Sequence, residues 1–172
     1  MNCFRTMLKM KHLASSSGHF SAFLHSSSAP NVLKTGQVLK LARTFSDSDV
    51  VDYSKLSLDG NPLHFEPECA RIAGFADILV PGMLVASLFP RIIAFHFPGA
   101  VYVSQTLQFK LPVYIGEEIT GEVEATSIRK LKNKYMAKFL TKCFKDDNTL
   151  VIDGEATAIL PAPAWENSRT RA

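Results

Sequence analysis

From Tyr102 onward the chain alternates. Ile119, Gly121, Val123 and Ala125 stand against Thr120, Glu122, Glu124 and Thr126, and a period of two marks a strand with one buried and one solvated face. Tyr135 to Phe144 and Leu150 to Leu160 continue in the same manner. The stretches between them, Leu131-Lys132-Asn133 and Asp146-Asp147-Asn148, have the composition of hairpin loops. Tyr102 to Lys110 is a further strand, ended by Pro112, and Gly36 to Phe45 is an earlier one, with Leu39 and Leu41 set against Lys40 and Arg43. An antiparallel meander therefore occupies the second half of the chain.

The segment between the first strand and the meander reads as helical. Ser46 with Asp49 three positions on resembles a capping arrangement for a short helix that carries Val50 and Tyr53. Asn61 is a strong N-cap residue and Pro62 suits the first helical position, where a missing N–H costs nothing. Pro67 restarts or kinks a helix running to about Ile72, and Ala73 to Leu79 is a loop. Pro81-Gly82 then opens the most apolar helix, Met83-Leu84-Val85-Ala86-Ser87-Leu88-Phe89. It is hydrophobic all round, so other elements are expected to wrap it, with Pro90 ending or kinking it. One apolar helix wrapped by a curved antiparallel sheet satisfies this order, an α+β layout.

A chain of 172 residues, 47% of them hydrophobic, suffices for one globular domain with a sizeable core. The longest apolar stretch, Leu79 to Phe97, is interrupted by Pro81, Pro90 and Arg91, so no membrane span is expected. Cys3, Cys69 and Cys143 have no metal-ligand spacing. The net charge of +3 belongs to the leader: no acidic residue precedes Asp47, and Arg5, Lys9 and Lys11 alone account for the excess. Global charge thus gives no support to a nucleic-acid partner. Residues 1–30 lack acids, are rich in Ser, and on a helix would put Phe4, Met7 and Leu8 on one face and Arg5, Lys9 and His12 on another. That is the pattern of a mitochondrial transit peptide, with plastid targeting as the alternative. The expected organisation is a leader over 1–30, a domain over 31–163 and a disordered tail over 164–172.

Chemistry shows at Asp59-Gly60-Asn61-Pro62-Leu63-His64. Asp59 falls in the turn before the Asn61 cap and His64 in the first helical turn, so a carboxylate and an imidazole can reach one small volume. Such a pair is a working acid–base couple. A plain turn before a helix, with Asp59 in the loop and His64 on the surface, would use the same residues.

The run Ser57-Leu58-Asp59-Gly60-Asn61-Pro62-Leu63-His64 meets the signature Ser/Thr-x-Asp-x-Asn-Pro-x-His. On it the chain resembles the MaoC-like (R)-specific enoyl-CoA hydratases and 3-hydroxyacyl dehydratases, a hotdog-fold group. Val80-Pro81-Gly82-Met83-Leu84-Val85-Ala86-Ser87-Leu88-Phe89 is similar to the start of that family's central helix. Ser104-Gln105-Thr106-Leu107-Gln108-Phe109-Lys110-Leu111-Pro112-Val113, with Gly116-Glu117 after it, is similar to the strand and overhang that follow. The likeness covers about Gly36 to Pro161. Two positions depart: many members have His where this chain has Pro81, and often Gly or Glu where it has Leu58.

The resemblance implies a hotdog fold and reversible syn addition of water across a trans-2-enoyl thioester, giving the (R)-3-hydroxyacyl form. Asp59 and His64 would hold one water and move protons between it and the α-carbon, the acid and base roles being unassigned. The backbone N–H of Gly82, at the positive end of the central helix, would stabilise charge on the thioester oxygen. Asn61, Pro81 and Met83 are the substrate-binding candidates, Asn61 also ordering the turn. No cofactor or metal is implied. The substrate would be an acyl thioester on acyl carrier protein or coenzyme A, and family members usually form homodimers by joining sheets edge to edge. With the mitochondrial address, the resemblance points to a 3-hydroxyacyl-acyl-carrier-protein dehydratase of type II fatty acid synthesis. The rival readings are an enoyl-CoA hydratase, a thioesterase on the same fold and a non-catalytic acyl-binding subunit. Cations Arg129, Lys130, Lys132, Lys134, Lys138, Lys142 and Lys145 decorate one hairpin, either as a solvated face or as a docking surface for an acidic carrier or phosphates.

Overall fold

A computed structural model describes residues 32–162 except Asp147. The leader (1–30) and the tail (164–172) of the sequence reading lie outside the described residues. The elements run β1 (Val38–Thr44), α1 (Asp47–Ser57), a single 3-10 turn (Pro62–His64), α2 (Pro67–Ile72), α3 (Gly82–Ala86), α4 (Leu88–His96), β2 (Val101–Phe109), β3 (Glu118–Leu131), β4 (Lys134–Lys145) and β5 (Thr149–Pro161). The five strands form one antiparallel sheet in the order β1-β3-β4-β5-β2. The helices pack on one face of it, a hotdog arrangement.

The alternation read from the sequence sets the faces. Ile119, Val123 and Ala125 of β3 and Phe139 and Cys143 of β4 point inward and are buried, together with Leu88, Phe89, Ile92 and Ile93 of α4. Fully burying one such large aliphatic or aromatic side chain contributes roughly 1.5–3 kcal/mol. Gly121 lets α4 come close, since a Cβ there would lie 3.1 Å from Leu88 Cβ. Gly154 is required more strictly. A Cβ at that position would sit 1.9 Å from the Thr106 carbonyl oxygen of the neighbouring strand. The one buried polar side chain among the described residues, Thr141, accepts a hydrogen bond from Gln105 Nε2 at 3.0 Å. Gln105 Oε1 in turn accepts from the Tyr102 hydroxyl, and burial pushes the Tyr102 hydroxyl up to about 12.

The helical segment differs from the sequence reading at three points. Asn61-Pro62 opens only a 3-10 turn, because Phe65 N–H and Glu66 N–H both close on Pro62 O and Pro67 starts a separate helix. The central helix breaks at Ser87 and not at Pro90, and then runs on to His96. Proline clashes with the carbonyl four residues earlier, so the disturbance from Pro90 falls at Ala86-Ser87 and leaves Pro90 in the first turn of α4. The helix is also not wrapped on all sides. Met83, Ser87, Arg91 and Phe95 form an exposed stripe at helical spacing, because the sheet of a single copy covers only one face.

Candidate active site

Helix α1 delivers the turn that carries Asp59. Ser46 caps it, its hydroxyl accepting from Asp49 N–H while the Asp49 carboxylate accepts from Ser46 N–H. The helix ends at Leu58, whose φ of 59° is left-handed and whose N–H donates to Ser54 O at 2.8 Å. That conformation costs a leucine roughly 1–2 kcal/mol, and it turns the chain sharply so that Asp59 leaves the helix axis. Asp59 is then held at several atoms. Its N–H donates to Ser57 Oγ at 3.2 Å, and its carbonyl accepts from Ser54 Oγ at 2.6 Å. Its Oδ1 accepts from Asn61 N–H at 3.1 Å, and Asn61 Oδ1 accepts from Leu63 N–H at 3.2 Å.

His64 is oriented from the other side by Leu79. Leu79 N–H donates to Leu63 O at 3.0 Å, and His64 Nδ1 lies 2.8 Å from Leu79 O. A carbonyl oxygen only accepts, so Nδ1 carries a proton and Nε2 faces Asp59. The distance from His64 Nε2 to Asp59 Oδ2 is 3.9 Å, too long for a direct hydrogen bond and suited to two groups that grip one small molecule between them. The imidazole is largely buried at 12% side-chain exposure, and the carboxylate is open to solvent at 42%.

Leu79-Val80 also fixes the third group. Val80 N–H donates to Val113 O at 2.8 Å, and Leu79 bridges to Tyr114, so the start of α3 is clamped beside His64. Pro81 is buried, with φ −53°, and its carbonyl accepts from Leu84 N–H and Val85 N–H. The first N–H groups of a helix have no partner inside it, and Gly82 N–H finds no acceptor among the described residues. A Cβ on Gly82 would lie 2.7 Å from Phe109 Cε1, so the aromatic ring rests against the glycine.

His64, Gly82 and Met83 line a cleft of about 440 Å³ together with Phe75, Leu79, Val80, Val85, Phe109, Val113 and Ile152. Its wall is apolar and Lys110 stands among the lining residues, which suits an acyl chain inside and a polar carrier outside. Of the residues singled out in the sequence, His64, Gly82 and Met83 thus line one cleft, and Asp59 stands beside it, 3.9 Å from His64. Asn61 caps the turn, and Pro81 sits behind Gly82. The sequence reading missed Leu79, which acts through its backbone fifteen residues from His64 and so leaves no side-chain signal. It also missed Ser54, which holds Asp59 from one turn back in α1, and Phe109, which lay in a quoted stretch without being assigned a role.

Comparison with known proteins identifies the family. Residues 29–142 match the family model described as MaoC like domain. The mitochondrial 3-hydroxyacyl-acyl-carrier-protein dehydratase FERN of Solanum lycopersicum is 68% identical over 157 residues, 91% of this chain and 93% of the relative. An (R)-specific enoyl-CoA hydratase of Aeromonas caviae is 40% identical over 131 residues, 75% of this chain and 96% of the relative. The solved structure of an (R)-hydratase from A. caviae involved in PHA biosynthesis superposes with a TM-score of 0.69 at 39% identity, covering 75% of this chain and 98% of that one. This chain belongs to the MaoC-like dehydratase family.

Proposed function

We propose that this protein is a mitochondrial 3-hydroxyacyl-acyl-carrier-protein dehydratase that removes water reversibly from (R)-3-hydroxyacyl thioesters in type II fatty acid synthesis. The observation that carries the reading is the Asp59–His64 pair, 3.9 Å apart, beside an apolar cleft that His64 and Gly82 both line. In the hydration direction Asp59 Oδ2 and His64 Nε2 hold a water on one side of the double bond. Its oxygen bonds to the β-carbon, and the proton it loses to the pair is matched by one the pair delivers to the α-carbon. Electron density that moves onto the thioester oxygen is met by Gly82 N–H, a donor of a kind typically worth roughly 3 kcal/mol in the transition state. Dehydration runs the same steps backward. Because one pair handles both the hydroxyl and the proton, both new bonds form on the same face.

Met83, Val85, Phe109 and Ile152 provide apolar walls for the substrate. The mitochondrial address of the 68% identical relative accords with the basic, acid-free leader. A homodimer fits strand β2, which closes one side of the sheet with no neighbour beyond it among the described residues and exposes Val101, Val103 and Phe109. An open edge of nine residues is a template for a second strand, and the same strand of a second copy satisfies it. The second reading, hydration of coenzyme A thioesters, draws on the 40% identical hydratase. The full chain assayed on (R)-3-hydroxyacyl thioesters of both carriers is expected to form the 2-enoyl product with a higher kcat/KM on acyl carrier protein. A higher value on coenzyme A would favour the second reading, and no turnover on either would overturn both.

A further inference from the structure

The tip of the β3–β4 hairpin, Ser127 to Lys138, carries Arg129, Lys130, Lys132, Lys134 and Lys138 and no acidic residue. The register pairs Ser127 with Lys138, Arg129 with Met136 and Leu131 with Lys134. Residues directly opposite share a face, as do residues two apart, so Arg129, Lys134 and Lys138 stand on one face, away from the helices. All three are exposed, as is Lys132 in the turn, and none of the four forms an ion pair among the described residues. Towards the other end of the strands the same face is balanced. Lys142 there lies opposite Glu122 on β3 and Asp153 on β5, and Lys40 pairs with Glu122. Uncompensated positive charge is therefore concentrated at one end of the sheet.

That end is the wrong one for the cleft of the same copy. Val101 pairs with Ile159 and Ile159 with Met136, so the open end of β2 that begins at Val101 is the hairpin-tip end. Phe109 pairs with Ile152 and Ile152 with Cys143, so the cleft is at the other. Lys134 is nine residues along β4 from Cys143, about 30 Å of strand. The proposed homodimer changes this. Two copies of β2 joined edge to edge about a two-fold axis run antiparallel, which places the tip end of one copy beside the cleft end of the other. From β2 across the seam, the partner subunit's hairpin is then three to four strand spacings away, roughly 14–19 Å.

We infer that the basic hairpin tip of one copy docks an acidic acyl carrier protein whose thioester enters the cleft of the other copy. The inference rests on the dehydratase and homodimer readings above and adds the carrier surface and its action across the dimer. Acidic surface on the carrier meets Arg129, Lys132, Lys134 and Lys138, steering encounter and setting orientation, while coenzyme A thioesters reach the cleft without this surface.

Two measurements on the full chain test it. In the first, binding of fluorescently labelled acyl carrier protein is followed for wild type and for the triple variant Arg129→Glu, Lys132→Glu, Lys134→Glu, with turnover of a coenzyme A thioester as the second readout. The expected result is a Kd for the carrier raised about tenfold or more, with coenzyme A turnover unchanged. An unchanged Kd overturns the docking surface, as does wild-type binding to phosphatidylserine vesicles as tight as to the carrier, which would mark a general polyanion surface. Absence of wild-type turnover would instead overturn the dehydratase reading and leave the binding result to stand by itself. In the second, Asp59→Asn protein is mixed with the triple variant under conditions that exchange subunits. Turnover of carrier-bound substrate well above the sum of the two parents is expected, because each hybrid joins a live cleft to the partner's intact hairpin. No gain on mixing, with exchange verified, would overturn action across the dimer.

Discussion

Between Leu58 and Asn61 the backbone leaves regular structure, and the turn from Asp59 to His64 is set by individual hydrogen bonds: Ser54 Oγ to Asp59 O, Asn61 N–H to Asp59 Oδ1, His64 Nδ1–H to Leu79 O. In β3, β4 and β5 the order comes from ladder pairing and from inward side chains such as Val123, Phe139 and Ile152 that are almost wholly buried. The turn includes an exposed leucine at positive φ and a carboxylate open to solvent. No residue of the five strands has a positive φ. The proposed acid–base pair, Asp59 and His64, thus stands on a part that adds little to the core, and the sheet supplies most of the ordered packing beneath it. Activity and stability should separate along the same line.

The largest expected effect is on activity alone. Asp59→Asn and His64→Ala each lower kcat by roughly 10²–10⁴-fold, while thermal unfolding followed by circular dichroism stays near wild type. A large drop in melting temperature for either would break the separation. Gly154→Ala acts in the opposite sense. Its Cβ meets a backbone oxygen at 1.9 Å, so stability in urea falls by about 3 kcal/mol, and protein that still folds keeps the cleft's chemistry.

Ser46→Ala removes the cap of α1, the helix that delivers the turn, and costs about 1 kcal/mol. Burial raises the Asp49 carboxyl, but hydrogen bonds from Ser46 and the Arg43 guanidinium outweigh it and hold the group below its ordinary value. A carboxyl lowered on folding stabilises above its unfolded value and loses that contribution as pH falls through the folded one. Asp49→Asn should therefore flatten the acid limb of the stability profile below about pH 4. Smallest is Leu58→Gly, expected to raise stability by about 0.5–1 kcal/mol as the left-handed strain is relieved. A loss instead would show that the Leu58 side chain makes a stabilising contact.

The sheet was legible in the sequence because alternation records burial directly: Ile119, Val123 and Ala125 could be assigned to the inner face before any coordinate was known. The capping box of Ser46 and Asp49 was legible for a similar reason, since both partners lie within one helical turn. Proline was harder to read. Pro62 satisfied the rule for a first helical position yet opened only a 3-10 turn, and the effect of Pro90 appeared three residues earlier at Ser87. Within the site, Asp59, His64 and Gly82 carried a motif, whereas the Leu79 carbonyl that fixes the His64 proton is a long-range backbone contact. The exposed stripe of Met83, Ser87, Arg91 and Phe95 was hidden by composition, because an apolar helix with one bare face reads like one that is fully enclosed.

The central claim is that Asp59 and His64 handle a single water from one side of the bound thioester. It is tested most directly by hydrating a trans-2-enoyl thioester in deuterium oxide with the full chain and determining the configuration at both carbons of the product. The account predicts an (R)-3-hydroxyacyl thioester with one deuterium at the α-carbon, on the same face as the new hydroxyl. Deuterium on the opposite face, or an even mixture of the two, would contradict it.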